Sequence, residues 1–145
     1  MRLLLVLAAI VLSGCAGYMS EPANTKLHFA ATLNGTNELP PNASPAKGNL
    51  TASYLPSTRI LQWRLGYSGL SGPVTWAHLY GPDGVGNEAA IVPLNLQLEG
   101  NPHPGGATLT DQQAADLIAG RWSINLRTEQ YPDGEIRGPI VPNAR

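Results

Sequence analysis

The chain of 145 residues carries few charged side chains and almost no net charge. Charged residues make up 13% of the chain and the formal net charge is −1, whereas an ordinary soluble domain has roughly 25% charged residues. The basic residues are scattered, which excludes a nucleic-acid partner, because such a partner requires a basic patch. The 16 glycines and 13 prolines favour short strands joined by turns, and the length suits one domain.

The amino-terminal segment has the pattern of an export signal. Arg2 precedes an apolar run over residues 3–12. This run is shorter than the about 20 residues of a membrane-spanning helix and matches a signal-peptide core. Residues 12–15 read Leu-Ser-Gly-Cys, which resembles a lipobox, and Cys15 is the only cysteine. We predict that Cys15 carries a lipid. An ordinary secretory signal that happens to contain a cysteine is the alternative.

These features predict three segments. Residues 1–14 form a signal peptide of the lipoprotein type, residues 15–25 a lipidated tether, and residues 26–145 a folded domain. Several acyl chains on one residue anchor a protein stably, so we expect the mature chain to be held at a membrane. Ala16 follows the cysteine where an aspartate would retain a Gram-negative lipoprotein in the inner membrane. This resemblance predicts an outer-membrane location, with the domain facing the periplasm.

Alternating apolar and polar residues predict about seven strands and one short helix. Pro93 indicates an edge strand or a bulge. Thr110 and Gln113 form a capping-box pattern at the start of the helix, and Gly120 ends it. Together they predict an all-β fold, an antiparallel β-sandwich of the immunoglobulin-like or superoxide-dismutase-like kind. The predicted strands cover residues 27–33, 49–54, 61–67, 74–80, 89–98, 122–126 and 136–140, and the helix covers 110–119.

Two strands raise the question of which face is buried. Trp63 lies in the longest clean alternation and is predicted to belong to the core. Trp76, His78 and Tyr80 share one face of the fourth strand. They form either part of the core or an exposed aromatic surface suited to binding, and periodicity does not decide between these alternatives.

The last two strands predict a charged ladder. If Leu126 and Ile136 both face inward, residue 126 pairs with 136, and Glu135 lies between Arg127 and Arg137 on the outer face. We interpret this ladder as structural and exposed, with the pKa of Glu135 lowered by the two guanidinium groups. A polar patch that faces a ligand is the alternative. No arrangement of nucleophile, base and acid is recognisable in the sequence, so no catalytic residue is predicted.

Several segments, in order, resemble the chordin (CHRD) domain family over residues 27–141. They include the Glu-Leu-Pro-Pro at 38–41 and the Gly-Glu-Ile-Arg-Gly at 134–138, of which the latter is the most specific. The resemblance implies a binding or interaction module rather than an enzyme. The similar segments are residues 29–41, 65–72, 77–82, 117–120, 124–128 and 132–138.

The departures from the family pattern bear on metal binding. Where the family reads Ala-His-Ile-His-Gly, this chain has Tyr80 in place of the second histidine. Where the family reads Asn-x-His-Thr, this chain has Arg127 in place of the histidine. The family's His-x-His is similar, by analogy of fold alone, to copper ligands of copper-zinc superoxide dismutases. Only His78 remains, a weak candidate, because His28 and His103 lack ligand spacing. We therefore expect no cofactor.

The sequence favours one function and leaves a second open. The first is a membrane-anchored envelope lipoprotein with a non-catalytic binding or structural domain, whose ligand is unknown. The alternative is a copper- or zinc-binding protein, or a redox protein, of the superoxide-dismutase-like sandwich type.

Overall fold

A computed structural model describes residues 24–84, 87–95 and 101–143. The predicted signal peptide, Cys15 and most of the tether lie outside the described residues, as does the end of the predicted fifth strand. The strands are β1 (Leu27–Asn34), β2 (Lys47–Leu55), β3 (Ile60–Ser68), β4 (Val74–Pro82), β5 (Glu88–Pro93), β6 (His103–Thr108), β7 (Trp122–Thr128) and β8 (Ile136–Pro142), with the helix α1 (Asp111–Ile118) between β6 and β7.

The strands form one antiparallel sheet that curves around a shared core. Their order is β5-β4-β7-β8-β1-β2-β3-β6, so that the chain's first strand lies in the middle. Buried side chains from both halves of the sheet belong to one cluster. The predicted all-β, sandwich-like class with one helix is confirmed, with eight strands in place of about seven. Pro93 ends β5, an edge strand whose pairing with β4 contains a bulge, as predicted.

The additional strand is β6, which the sequence predicted to be a loop. Proline and glycine are depleted in strands, but β6 is an edge strand that pairs only with β3, and there proline is tolerated. A Cβ atom at Gly105 would collide with the Trp63 ring, so the ring requires glycine above it. Trp63 is 7% exposed, which confirms its predicted place in the core.

The helix follows the predicted signals. Thr110 Oγ1 accepts a hydrogen bond from the Gln113 amide at 3.2 Å, and the Gln113 side chain accepts one from the Thr110 amide at 2.9 Å. Gly120 has φ +70°, a backbone conformation that favours glycine. The helix buries Ala114 and Leu117 against the core, whereas Ile118 is exposed. No helix among the described residues is long and apolar enough to cross a membrane.

The two ends of the sheet differ in what they carry. Leu27 pairs with Tyr54 at the end where the chain enters the domain, which we name the tether end. At the opposite end, Asn34 pairs with Arg137, and the loop of residues 35–46 folds over the outer face of the sheet. Asn42 Nδ2 fixes this loop by donating to the carbonyl oxygens of Gly134 at 3.0 Å and Glu135 at 3.2 Å. The loop thereby positions Glu38.

Candidate binding site on the outer face of the sheet

The side chains of Trp76, His78 and Tyr80, here named the aromatic strip, lie on the outer face of β4. The alternation of β4 places Ala77 and Leu79 in the core, so the strip faces outward, which settles the question left open by the sequence. Trp76 is 49% exposed. Its ring stacks on His78 with centroids 4.3 Å apart and an interplanar angle of 18°, and Tyr80 is tilted against His78 at 6.2 Å.

Strand β7 supplies polar partners beside the aromatic strip. Its inward residues alternate with Ser123, Asn125 and Arg127, which pair in register with Tyr80, His78 and Trp76 respectively. The Arg127 Nη2 donates to Tyr80 Oη at 3.2 Å. The two residues that depart from the CHRD pattern at histidine positions are therefore in contact with each other.

Arg137 on β8 also lies beside the aromatic strip, and it does not pair with Glu135 as predicted. Its guanidinium group forms an ion pair with Glu88 of β5 and donates to Ser123 Oγ at 2.9 Å. It also lies 5.7 Å from the centre of the Tyr80 ring, within the range of a cation–π contact. Arg137 therefore connects β8 to the edge of the sheet, across the aromatic strip.

Glu38 enters this face from the loop of residues 35–46. The residue is only 3% exposed, and its Oε2 accepts a hydrogen bond from Asn125 Nδ2 at 3.0 Å. Burial raises the pKa of Glu38 to about 7, although Arg137, the Asn125 hydrogen bond and Arg127 oppose the rise. Gly134 packs directly on this carboxyl group, with which a Cβ atom at that position would collide.

Most of the buried polar atoms that lack a hydrogen-bond partner among the described residues lie on the outer face, around Glu38. Among the described residues, five buried side-chain polar atoms have no partner, namely Glu38 Oε1, His78 Nδ1, Asn125 Oδ1, Arg127 Nε and, in the core, Trp122 Nε1. The first four residues are here named the Glu38 cluster. Each such atom costs about 1–3 kcal/mol, so their concentration requires an explanation. Burial and the nearby Arg127 lower the pKa of His78, which keeps its ring neutral at pH 7.

Glu135 corrects the predicted ladder. It is fully buried, and among the described residues neither it nor Arg127 forms an ion pair. The predicted pairing of Leu126 with Ile136 is confirmed. The prediction of an exposed Glu135 is wrong because β8 begins only at Ile136. The preceding Gly134, with φ +150°, breaks the alternation that would have turned Glu135 outward.

Four donors surround the Glu135 carboxylate. Its Oε1 accepts from Ser44 Oγ at 2.8 Å and from the Ser71 amide at 2.9 Å, and its Oε2 accepts from Ser71 Oγ at 2.7 Å and Thr128 Oγ1 at 2.6 Å. Burial raises the pKa of Glu135, but these hydrogen bonds outweigh burial and the net shift is downward. The predicted direction is right and the predicted cause, two arginines, is wrong.

The described residues do not fit a metal site. Among residues 24–84, 87–95 and 101–143, no group of three or more histidine, cysteine, aspartate or glutamate side chains could hold a metal ion. His103, which the sequence placed in a loop, is buried at the start of β6 and stacks on Tyr67. Beside His78 lies the guanidinium group of Arg127, which repels a cation.

The fold defines a small, sandwich-like antiparallel β domain with a polar and aromatic outer face. The model of the CHRD domain family matches residues 29–140, and the chain belongs to that family. CHRD domains are a non-enzymatic family of binding or structural domains. No protein of curated function and no solved structure matches the chain.

The segments that carried the resemblance meet at this face. Glu38 comes from the Glu-Leu-Pro-Pro segment, His78 from β4, Asn125 and Arg127 from β7, and Arg137 from β8. The sequence singled out His78 and the arginines but assigned no role to Glu38 and Asn125. One sequence signal was available for Asn125, because it lies in the segment 124–128 that resembles the family. Its burial in the middle of β7 is seen only in the structure.

Proposed function

We propose that the protein is an envelope lipoprotein, anchored through acyl chains on Cys15, whose CHRD domain binds a ligand without catalysis. The binding surface is the aromatic strip together with the Glu38 cluster. The observation that supports this proposal most strongly is the position of the half-exposed Trp76 beside four buried polar atoms that have no partner in the part of the chain that the structure describes. Protein interfaces and binding sites are enriched in such aromatic residues, next to a few convergent polar groups.

The direction of the strands supports this arrangement. Leu27 enters β1 at the tether end, whereas Trp76 pairs with Arg127 near the opposite end of the sheet, one residue from the pair of Val74 and Thr128. A domain tethered at its first strand would hold the aromatic strip away from the lipid anchor. We propose an outer-membrane location for the anchored chain, with the domain in the periplasm.

The anchor is tested by the variant Cys15→Ser. We expect it to remain unprocessed or to be exported poorly, and to leave the membrane fraction after a high-salt wash. The same fractionation with the wild-type chain is the control. If the variant stays with the membranes after the wash, the lipid does not hold the protein there.

The binding surface is tested by hydroxyl-radical oxidation in intact cell envelopes and on the purified chain. Trp76 is the one tryptophan of the three that is exposed, because Trp63 and Trp122 are buried. We expect Trp76 to be protected in the envelope compared with the purified protein. Ile60, exposed at the tether end, is the control and should react equally in both. Equal oxidation of Trp76 in both samples would contradict the proposed surface.

A further inference from the structure

The Glu-Leu-Pro-Pro segment (residues 38–41) is held to the outer face of the sheet by two different kinds of contact. Directly after the segment, Asn42 Nδ2 donates to two backbone carbonyl oxygens of the turn before β8, and such bonds do not titrate. At the start of the segment, the buried Glu38 carboxyl group accepts from Asn125 Nδ2 of β7 at 3.0 Å. Leu39 is 75% exposed, and the two prolines after it have no amide hydrogen to donate. The Glu38 side chain is therefore the contact of this segment that a change of pH can alter.

Two of the buried atoms without a partner belong to this pair of residues. Glu38 Oε1 and Asn125 Oδ1 are both acceptors while Glu38 is ionised. A protonated carboxyl group donates through one oxygen and accepts through the other, and a primary amide likewise donates and accepts. Since Asn125 Nδ2 already donates to Oε2, a proton on Oε1 would supply the donor that Asn125 Oδ1 lacks. One proton thus satisfies both oxygens, and its loss leaves two buried acceptors without a donor, which costs stability.

The charged groups around Glu38 do not replace this proton. Arg127 of β7, Arg137 of β8 and hydrogen bonds to the carboxyl group favour the ionised form, but burial outweighs them and raises the pKa of Glu38 to about 7. Arg137 is paired with Glu88 of β5, and among the described residues neither arginine forms an ion pair with Glu38. His78 of β4 is neutral at pH 7, because burial and Arg127 lower its pKa. Ionised Glu38 is therefore a buried charge without an ion-pair partner.

A cavity next to the segment offers the Glu38 side chain a way to water. It has a volume of about 230 Å³, and its lining includes Glu38 and Pro40 on one side and Tyr131, Asp133 and Gly134 on the other. Asp133 is exposed, so this side of the cavity faces solvent. A carboxylate is far more stable in water than in a buried site. The ionised side chain gains hydration by turning outward, whereas the protonated one would lose its hydrogen bonds to Asn125.

We propose that the Glu-Leu-Pro-Pro segment is a pH-sensitive switch, in which protonated Glu38 pairs with Asn125 through two hydrogen bonds and holds the segment closed, and loss of that proton to water releases the segment. The closed form prevails in acid and the open form gains as the pH rises. Opening uncovers the Asn125 amide, which Glu38 contacts in the closed form. Neither the lipid anchor nor the ligand proposed above is needed for this movement.

The test is carboxyl labelling of the full chain, purified in detergent, with a carbodiimide and glycine ethyl ester at pH 5 and pH 8. Trypsin then releases residues 27–47, in which Glu38 is the one acidic residue, and residues 128–137, which contain Glu129 and Glu135. The exposed Glu129 corrects for the pH dependence of the reagent, and the buried Glu135 reports whether the fold is intact. Mass spectrometry gives the labelling of Glu38 relative to Glu129.

We expect this ratio to rise about tenfold or more from pH 5 to pH 8, while Glu135 stays unlabelled. The upper limit is about 300-fold, which is the difference between 4.5 and about 7 expressed as an equilibrium ratio. Asn125→Ala should raise the ratio at pH 5, because protonated Glu38 loses its partner. Gln62→Ala, which removes an exposed amide from the outer face of β3, is the matched control and should leave the ratio unchanged.

Infrared spectra test the paired form itself. The difference between wild type and Glu38→Gln at pH 5 should contain the carbonyl band of a protonated, hydrogen-bonded carboxylic acid, and this band should disappear at pH 8. The switch is overturned if the band is missing at pH 5, if the labelling ratio is the same at both pH values, or if a folded Asn125→Ala labels like the wild type at pH 5. Labelling of Glu135 together with Glu38 in the wild type would also overturn it, since the whole domain would then be opening.

Discussion

Glu135 and Glu38 are both buried carboxyl groups at the same end of the sheet, and they differ in their hydrogen-bond partners. Four donors surround Glu135, from Ser44, Ser71 and Thr128. Glu38 receives one side-chain hydrogen bond, from Asn125, and its Oε1 has no partner among the described residues. The pKa of Glu135 is lowered in spite of burial, whereas burial raises the pKa of Glu38 to about 7.

The difference separates a structural carboxyl group from one at the proposed binding surface. A carboxylate whose lone pairs are filled by neutral donors is stable as an ion and ties together three segments of the chain. A carboxyl group left half satisfied beside an exposed tryptophan costs stability, which a bound ligand could restore. Gly134 lies between the two, because it precedes Glu135 and packs on Glu38. The Gly-Glu-Ile-Arg-Gly segment therefore serves both.

The largest expected effect comes from removing the satisfied carboxylate. Glu135→Ala leaves three hydroxyls and a backbone amide without their acceptor in the core, and should cost about 3–5 kcal/mol of unfolding free energy. Denaturant melts measure the loss, with Glu129→Ala on the exposed turn as the control, expected within about 0.5 kcal/mol. A loss below about 1 kcal/mol for Glu135→Ala would mean that the hydroxyls find other partners.

The second effect comes from the glycine between the two glutamates. Gly134→Ala should cost about 2–4 kcal/mol, because it combines a strained positive φ with a collision against the Glu38 carboxyl group. Gly84→Ala is the matched control, since Gly84 has φ +84° and open space around it, and should cost only about 1 kcal/mol. Equal losses at the two positions would show that Glu38 moves aside without cost.

The third substitution, at Glu38, is expected to increase stability at neutral pH. The raised pKa of Glu38 contributes stability that is fully present below its unfolded value of 4.5 and is lost as the pH rises through about 7. The glutamine in Glu38→Gln cannot ionise. The unfolding free energy of this variant, relative to that of the wild type, should therefore rise by roughly 2 kcal/mol between pH 5 and pH 8. Denaturant melts of both proteins at the two pH values check this. A constant difference between them would mean that Glu38 is already ionised at pH 5.

The smallest effect is expected at Trp76. Because its side chain is half exposed, Trp76→Ala should cost about 1 kcal/mol or less of folding stability, whereas the matched Trp63→Ala should cost about 3–5 kcal/mol. Thermal or denaturant unfolding of the pair provides the comparison. If the two variants lost equal stability, the aromatic strip would belong to the core and could not serve as an open binding surface.

The sequence predicted what local periodicity determines and failed where distant segments meet. The strand of Trp63, the helix cap at Thr110 and the pairing of 126 with 136 each depend on neighbouring residues, and all three are confirmed. Strand β6 was missed because its prolines and glycines are acceptable only at a sheet edge beside the Trp63 ring, which composition does not reveal.

The site was predictable only in part for the same reason. The shared face of Trp76, His78 and Tyr80 follows from strand alternation, but its exposure depends on which side of β4 the core occupies. Glu38 arrives from a loop that crosses the sheet, and about 90 residues separate it from Asn125 and Arg127. Glu135 was placed on the wrong side because the backbone of Gly134 interrupts the alternation just before β8.

The contrast between the two glutamates is tested most directly by following both side-chain carboxyl carbons by NMR as the pH is changed. The structure predicts that Glu38 titrates near pH 7 and that Glu135 titrates below its ordinary value of 4.5. Glu38→Gln and Glu135→Gln assign the two signals. Titration of both groups together near 4.5, or of Glu135 above Glu38, would contradict the distinction between a satisfied structural carboxylate and an unsatisfied one in the proposed binding site.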